Sequence, residues 1–216
     1  MAGRRTTPGR LGWFSDGVFT IATIMVFQLK PPEDSTFTAL LALWPTGLSY
    51  VASYCFIAIV WLNHNHLFRF FPYVTPRLVW TNFVHLLMVL LIPFSNAWVA
   101  STKFAAVPVF AYATVFVFVN LAYIPFERYA MAFAPDELVS ARTRRLAKAR
   151  SSVTLATFIV AMLVSLKLPA LGFGLICCAL LLYLRPELPG VGSEDAGEVP
   201  GGRVSPPRRK QGNIVR

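Results

Sequence analysis

The sequence predicts an all-α integral membrane protein with six transmembrane helices and both termini in the cytoplasm. Three observations carry that reading. Charged residues occupy only 14% of the 216 positions, where a soluble domain carries about 25%. Hydrophobic residues occupy 56%, mean hydropathy is +0.57, and the apolar runs are long enough to cross a hydrocarbon core of roughly 30 Å. Positive charge also alternates from one connection to the next, which is a topological pattern.

Taken in order, the apolar runs place spans near 12–29, 42–62, 79–101, 105–125, 151–167 and 169–185. The first is not a cleaved signal peptide: it lacks a small-residue cleavage site, and a polar loop, LKPPEDS, follows it. Only LKLPALG separates the last two, so they form a tight helical hairpin turned at Pro169. Between spans four and five, the apolar–basic stretch FERYAMAFAPDELVSARTRRLAKARSS either extends helix five into the cytosol or lies at the interface. Residues 1–11 form a cytoplasmic tail, 12–188 the single six-helix unit, and 189–216 a tail rich in Gly, Pro and charge, expected to be disordered.

Orientation follows from the cations. Arg4, Arg5 and Arg10 precede the first span; Arg69 and Arg77 lie in the second connection; Arg128, Arg142, Arg144, Arg145, Lys148 and Arg150 lie in the fourth. The alternate connections hold only Lys30, Lys103 and Lys167. The basic side is cytoplasmic, which puts both ends inside. This placement also removes nucleic acid as a partner despite the net charge of +10, because the cations interrupt apolar runs instead of lining one amphipathic face. Cys55, Cys177 and Cys178 fall inside apolar segments and read as small buried fillers.

Of the ten acidic residues, the sequence places only Asp16 within a span, about one turn from its cytoplasmic end. A lone carboxylate there is either a helix N-terminal acid in the headgroup region or a functional group. Its surroundings favour the second. Arg10 lies six residues earlier; span two ends in WLNHNH, with Trp61, Asn63, His64, Asn65 and His66; span three opens with Asn82 and His85. Donors from several helices at one level can satisfy a carboxylate and tie helix ends together. Asp16 is thus expected to be the acceptor hub of an inter-helix network.

Other chemistries fit less well. Haem ligation between helices wants paired histidines within spans, and only His85 lies inside one. His64 and His66 at i, i+2 do not share a helical face, so no zinc site is expected. A hydrolase built on Ser15, Asp16 and a histidine has no evident oxyanion hole, and no enzymatic activity is expected. Gly172-Phe173-Gly174 lacks the Thr-Val pair of a carbonyl-lined potassium filter and reads as helix packing.

The run RLGWFSDGVFTIA (10–22) resembles the opening signature of the transmembrane protein 175 family, potassium-permeable channels of endosomes and lysosomes with prokaryotic relatives. Arg10, Phe14, Ser15 and Asp16 fit its pattern, and the similarity continues through WLNHNHLFR and NFVHLLMVLLIPFSNAW. The resemblance implies a homotetramer in a bacterial plasma membrane, with four copies of the first helix around a pore permeant to potassium, and no cofactor. It further implies a constriction at Ile21, Ile24 and Gln28, whose i, i+3, i+7 spacing is compatible with one helix face. Ile24 stands where prokaryotic relatives commonly have Thr, and Gln28 where they commonly have an apolar residue. Thr23 does not replace the lost hydroxyl without a rotation of about 100°. Within this frame Asp16, Ser15 and Arg10 brace the pore helix against Trp61, His64, Asn82 and His85, with Phe14 wedged between the same helices. The alternative is a proton-coupled transporter or proton-leak protein relaying through Asp16 and the histidines.

Overall fold

The structure is a computed structural model describing residues 7–26, 30–32, 34–135 and 139–183, without side chains at 181–183. Every regular element among the described residues is a helix. They are α1 (Pro8–Val26), α2 (Phe37–Leu41), α3 (Trp44–Phe68), α4 (Pro76–Val89), α5 (Ile92–Ser101), α6 (Ala106–Phe133), α7 (Ala141–Ser165) and α8 (Pro169–Tyr183). Four stretches are long and apolar enough to cross a membrane: α3, α4 with α5, α6, and α7; α8 is apolar but shorter.

Local chemistry sets the boundaries. Thr75 and Ser140 accept hydrogen bonds from the backbone N–H of Leu78 and Thr143, capping α4 and α7, and Pro76 occupies the first turn of α4, where a missing N–H costs nothing. Pro93 has no N–H for the Val89 carbonyl, and the expected single span 79–101 is broken at Leu90–Leu91 into α4 and α5. The LKPPEDS loop leads into an unforeseen short helix, α2, capped by Thr36.

Two boundaries move further. α3 runs six residues past the expected end at 62, and α6 runs eight past 125, through Pro125. The stretch before residue 151 continues helically, so α7 starts at Ala141. These extensions carry Glu127 into a helix, where it is buried: Asp16 is not the only acid within a span. The tails 1–6 and 184–216 lie outside the described residues, as does Gln28.

α6 is the centre of the bundle. It packs against α3, α4, α5, α7 and α8, and its buried aromatic residues knit them together. Phe116 stacks on Phe56 of α3 at 3.9 Å between ring centroids and meets Phe158 of α7 edge-on at 5.4 Å. A second apolar cluster, with Leu11, Leu67, Phe71, Leu78 and Phe126, fills the arginine-rich end. α7 and α8 pack closely at Gly172, where an added Cβ would lie 2.7 Å from Ser165 Cβ and 2.9 Å from the Ala161 carbonyl. Gly174 faces open space, so only Gly172 has the packing role expected of the pair. Of the three cysteines none is fully buried, and Cys178 is exposed.

Candidate functional site

α1 has two unlike faces. Leu11, Ser15, Phe19, Ala22 and Val26 are buried against α3, α4 and α5, following the three- and four-residue steps of a helix. On the other side Gly17, Thr20, Ile21, Ile24 and Met25 are exposed, Ile21 by 53% and Ile24 by 61%. The chain therefore holds α1 from one side and leaves a largely apolar stripe bare. Thr23 sits half-buried off that stripe, with its hydroxyl donating to the Phe19 carbonyl at 2.9 Å. Thr20, which the sequence reading passed over, lies on the stripe and donates to the Asp16 carbonyl at 2.8 Å.

The polar tie sits about midway along α1, and its hub is Asn82 of α4. Asn82 is fully buried and joins three helices. Its Nδ2 donates to Ser15 Oγ at 3.0 Å, and its Oδ1 accepts from His64 Nε2 of α3 at 2.7 Å. An amide oxygen only accepts, so this contact puts the proton of His64 on Nε2. Ser15 Oγ is also 2.9 Å from the Leu11 carbonyl, giving its own proton an acceptor within α1.

Asp16 stands apart from that hub. Successive helical residues differ by about 100°, so with Ser15 aimed into the bundle its neighbour points to the edge. There Asp16 Oδ1 accepts from Trp61 Nε1 of α3 at 2.8 Å, both side chains being half-buried. The expected single network is thus two adjacent ties, Ser15–Asn82–His64 and Asp16–Trp61.

The remaining predicted members sit outside both ties. Arg10 is exposed, and among the described residues no ion pair links it to Asp16. Six residues turn a helix by about 600°, which leaves the two side chains on different faces. His85 lies about one turn deeper than Asn82, fully buried, and among the described residues no hydrogen bond joins it to either tie. It meets the cluster through its ring, stacked on His64 at 5.8 Å and on Phe126 at 6.3 Å. Phe14 is 54% exposed and touches Phe83 of α4 at 5.5 Å, at the helix edge and not wedged between helices.

Two buried polar contacts had no counterpart in the sequence reading. Ser53 Oγ donates to Asn96 Oδ1 at 2.9 Å and lies 2.7 Å from the Tyr112 hydroxyl, linking α3, α5 and α6. Ser151 Oγ of α7 donates to Glu127 Oε2 of α6 at 2.6 Å. The expected spans put Ser53 and Asn96 at different depths, and Glu127 in a connection, so neither contact is foreshadowed by the sequence pattern.

Residues 10–93, which take in α1 from Arg10 onward, α3, α4 and the polar ties at Ser15 and Asp16, match the family model of the endosomal/lysosomal potassium channel TMEM175. A potassium channel of a Chryseobacterium species is 30% identical over 182 residues, 84% of this chain and 94% of that protein. This chain belongs to the TMEM175 family. A potassium channel of Streptomyces collinus is 36% identical to this TMEM175-family chain over 97 residues, 43% of this chain and 47% of the relative. The fold agrees with that of a solved lysosomal potassium-selective channel TMEM175 homolog from Chamaesiphon minutus. The TM-score is 0.72 at 24% identity, covering 82% of this chain and 96% of that one. With its membrane-crossing helices, this TMEM175-family member is a multi-pass membrane protein.

Proposed function

We propose that this chain is one subunit of a homotetrameric, potassium-permeable cation channel of the bacterial plasma membrane, with α1 of each subunit lining a central pore. The observation that carries the reading is the two-sidedness of α1 in a chain whose relatives are named potassium channels. A helix held by its own subunit on one face and bare on the other is suited to closing a ring with its copies. α1 has 19 residues and rises about 28 Å, enough to span, and α8 completes a six-span unit with both ends cytoplasmic.

Ile21 and Ile24 then form successive apolar rings. An apolar ring gates by dewetting and obliges an ion to shed part of its shell. Potassium sheds water more readily than sodium, which gives modest selectivity without carbonyl cages. Permeation of this kind calls for no cofactor or catalytic group. The ties at Ser15 and Asp16 position the pore helix, so Asp16→Ala reduces folding or opening without reversing ion preference.

The test is potassium efflux from proteoliposomes beside sodium-loaded vesicles, with wild type and Ile21→Asn compared after both are shown to assemble alike. Potassium-favouring flux in wild type and lost selectivity in the variant are expected. An intact oligomer that passes neither ion, or transport that requires a proton gradient and stops in Asp16→Asn, overturns the proposal.

A further inference from the structure

α7 begins against the usual electrostatics of a helix. Arg142, Arg144, Arg145, Lys148 and Arg150 crowd its first turns, with no acid in the first. Cations there oppose the helix dipole, and Arg142/Arg145 and Arg144/Lys148 are like-charge pairs at neighbouring positions. Two of the five are engaged within the protein. Arg144 donates to the carbonyls of Met131 and Ala134, closing the end of α6, and Arg150 lies half-buried near Glu127.

Lys148 instead meets Arg128 of α6 at a cleft of about 520 Å³ between the two helices. Both side chains are exposed, and Met131, Ala132 and Ala147 supply an apolar wall. Arg144 and Glu127 complete the lining, so three cations face one carboxylate, and that carboxylate is buried and already accepts from Ser151. The cleft lies where the outer surface of α7 turns apolar: Leu146, between Arg145 and Lys148, is 50% exposed, and Val153 and Val160 follow it. A cationic cleft at that level matches the depth of lipid phosphates.

We propose that the α6–α7 cleft binds the phosphate of an anionic lipid headgroup between Arg128 and Lys148, with the apolar wall under the lipid's glycerol stem. Charge complementarity selects the phosphate, and the adjoining apolar surface selects a lipid over a free anion. The inference rests on α6 and α7 spanning a membrane, and not on what the pore conducts.

The test is single-lipid binding to the purified full chain in neutral detergent, titrated with phosphatidylglycerol, phosphatidylcholine and inorganic phosphate and read by native mass spectrometry. Detergent removes the membrane's own surface potential, so long-range attraction does not contribute. Phosphatidylglycerol is expected to bind ahead of phosphatidylcholine. R128Q/K148Q should weaken it by at least about tenfold, the scale of one lost charge-assisted hydrogen bond. R142Q/R145Q, which alters cations outside the cleft, should leave it nearly unchanged. Equal losses in the two double variants, equal binding of the two lipids, or inorganic phosphate competing as well as the lipid would each overturn the proposal. Should R128Q/K148Q fail to elute as the wild-type species, R128Q and K148Q singly carry the same comparison, and no loss in either refutes it.

Discussion

Asn82→Ala is the most informative single change, because the side chain is fully buried and its two bonds reach two other helices. Interhelical hydrogen bonds in membrane bundles average about 0.6 kcal/mol and reach about 1.7, so losing two removes roughly 1–2 kcal/mol. The substitution also leaves the Nε2–H of His64 buried without its acceptor, at a cost of about 1–3 kcal/mol. The expected total is about 2–5 kcal/mol. Ser15→Ala loses only one inter-helix contact and should cost about 1 kcal/mol, since the other bond of Ser15 stays within α1. Reversible denaturation of the purified protein in mixed micelles measures both, and the double variant supplies their coupling. A coupling of about 0.6–1.7 kcal/mol is expected. If Asn82→Ala unfolds within about 0.5 kcal/mol of wild type, or the two losses simply add, Asn82 is not the hub of the tie.

Other expectations use the same measurement. Trp61→Phe removes only the bond to Asp16 at a half-buried edge, and should cost about 1 kcal/mol, less than Asn82→Ala, with ion preference retained. Gly172→Ala forces a methyl against Ser165 Cβ and the Ala161 backbone, which cannot swing aside, and should cost about 1–3 kcal/mol; Gly174→Ala meets nothing within 4 Å and should show no loss. Ser53→Ala strips Tyr112 and Asn96 of their shared partner and should lower stability by about 1–2 kcal/mol, visible as a lower melting temperature.

The class and most spans were legible because hydropathy and charge act over long windows. The motif around Asp16 was legible as a place but not as a geometry. Sequence puts Ser15, Asp16, Asn82 and His85 at similar depths, whereas the helix phase decides that Ser15 points to Asn82 and Asp16 to Trp61. One turn of depth likewise separates His85 from the tie. The break at Leu90–Leu91 was readable from Pro93, whose missing N–H was seen only as part of a motif. Glu127 stayed hidden for a different reason. An acid beside arginines reads as a connection, and the partners that offset its burial, Ser151 and Arg150, lie more than 20 residues on.

The uneven attachment of α1 has a mechanical meaning. Among the described residues its inter-helix hydrogen bonds gather at Ser15 and Asp16, while farther along Phe19, Ala22 and Val26 make apolar contacts, which carry no directional bond. The helix is a rod pinned near its middle, with Ile21 and Ile24 on the arm that runs on to Val26. Ile21 and Ile24 stand about 9 and 13.5 Å along it from Ser15, so a 10° rock about the pin moves them by roughly 1.6 and 2.3 Å. For the same rock the lever arm gives Ile24 the larger displacement and Ile21 the smaller, so in the proposed pore the two positions would move unequally.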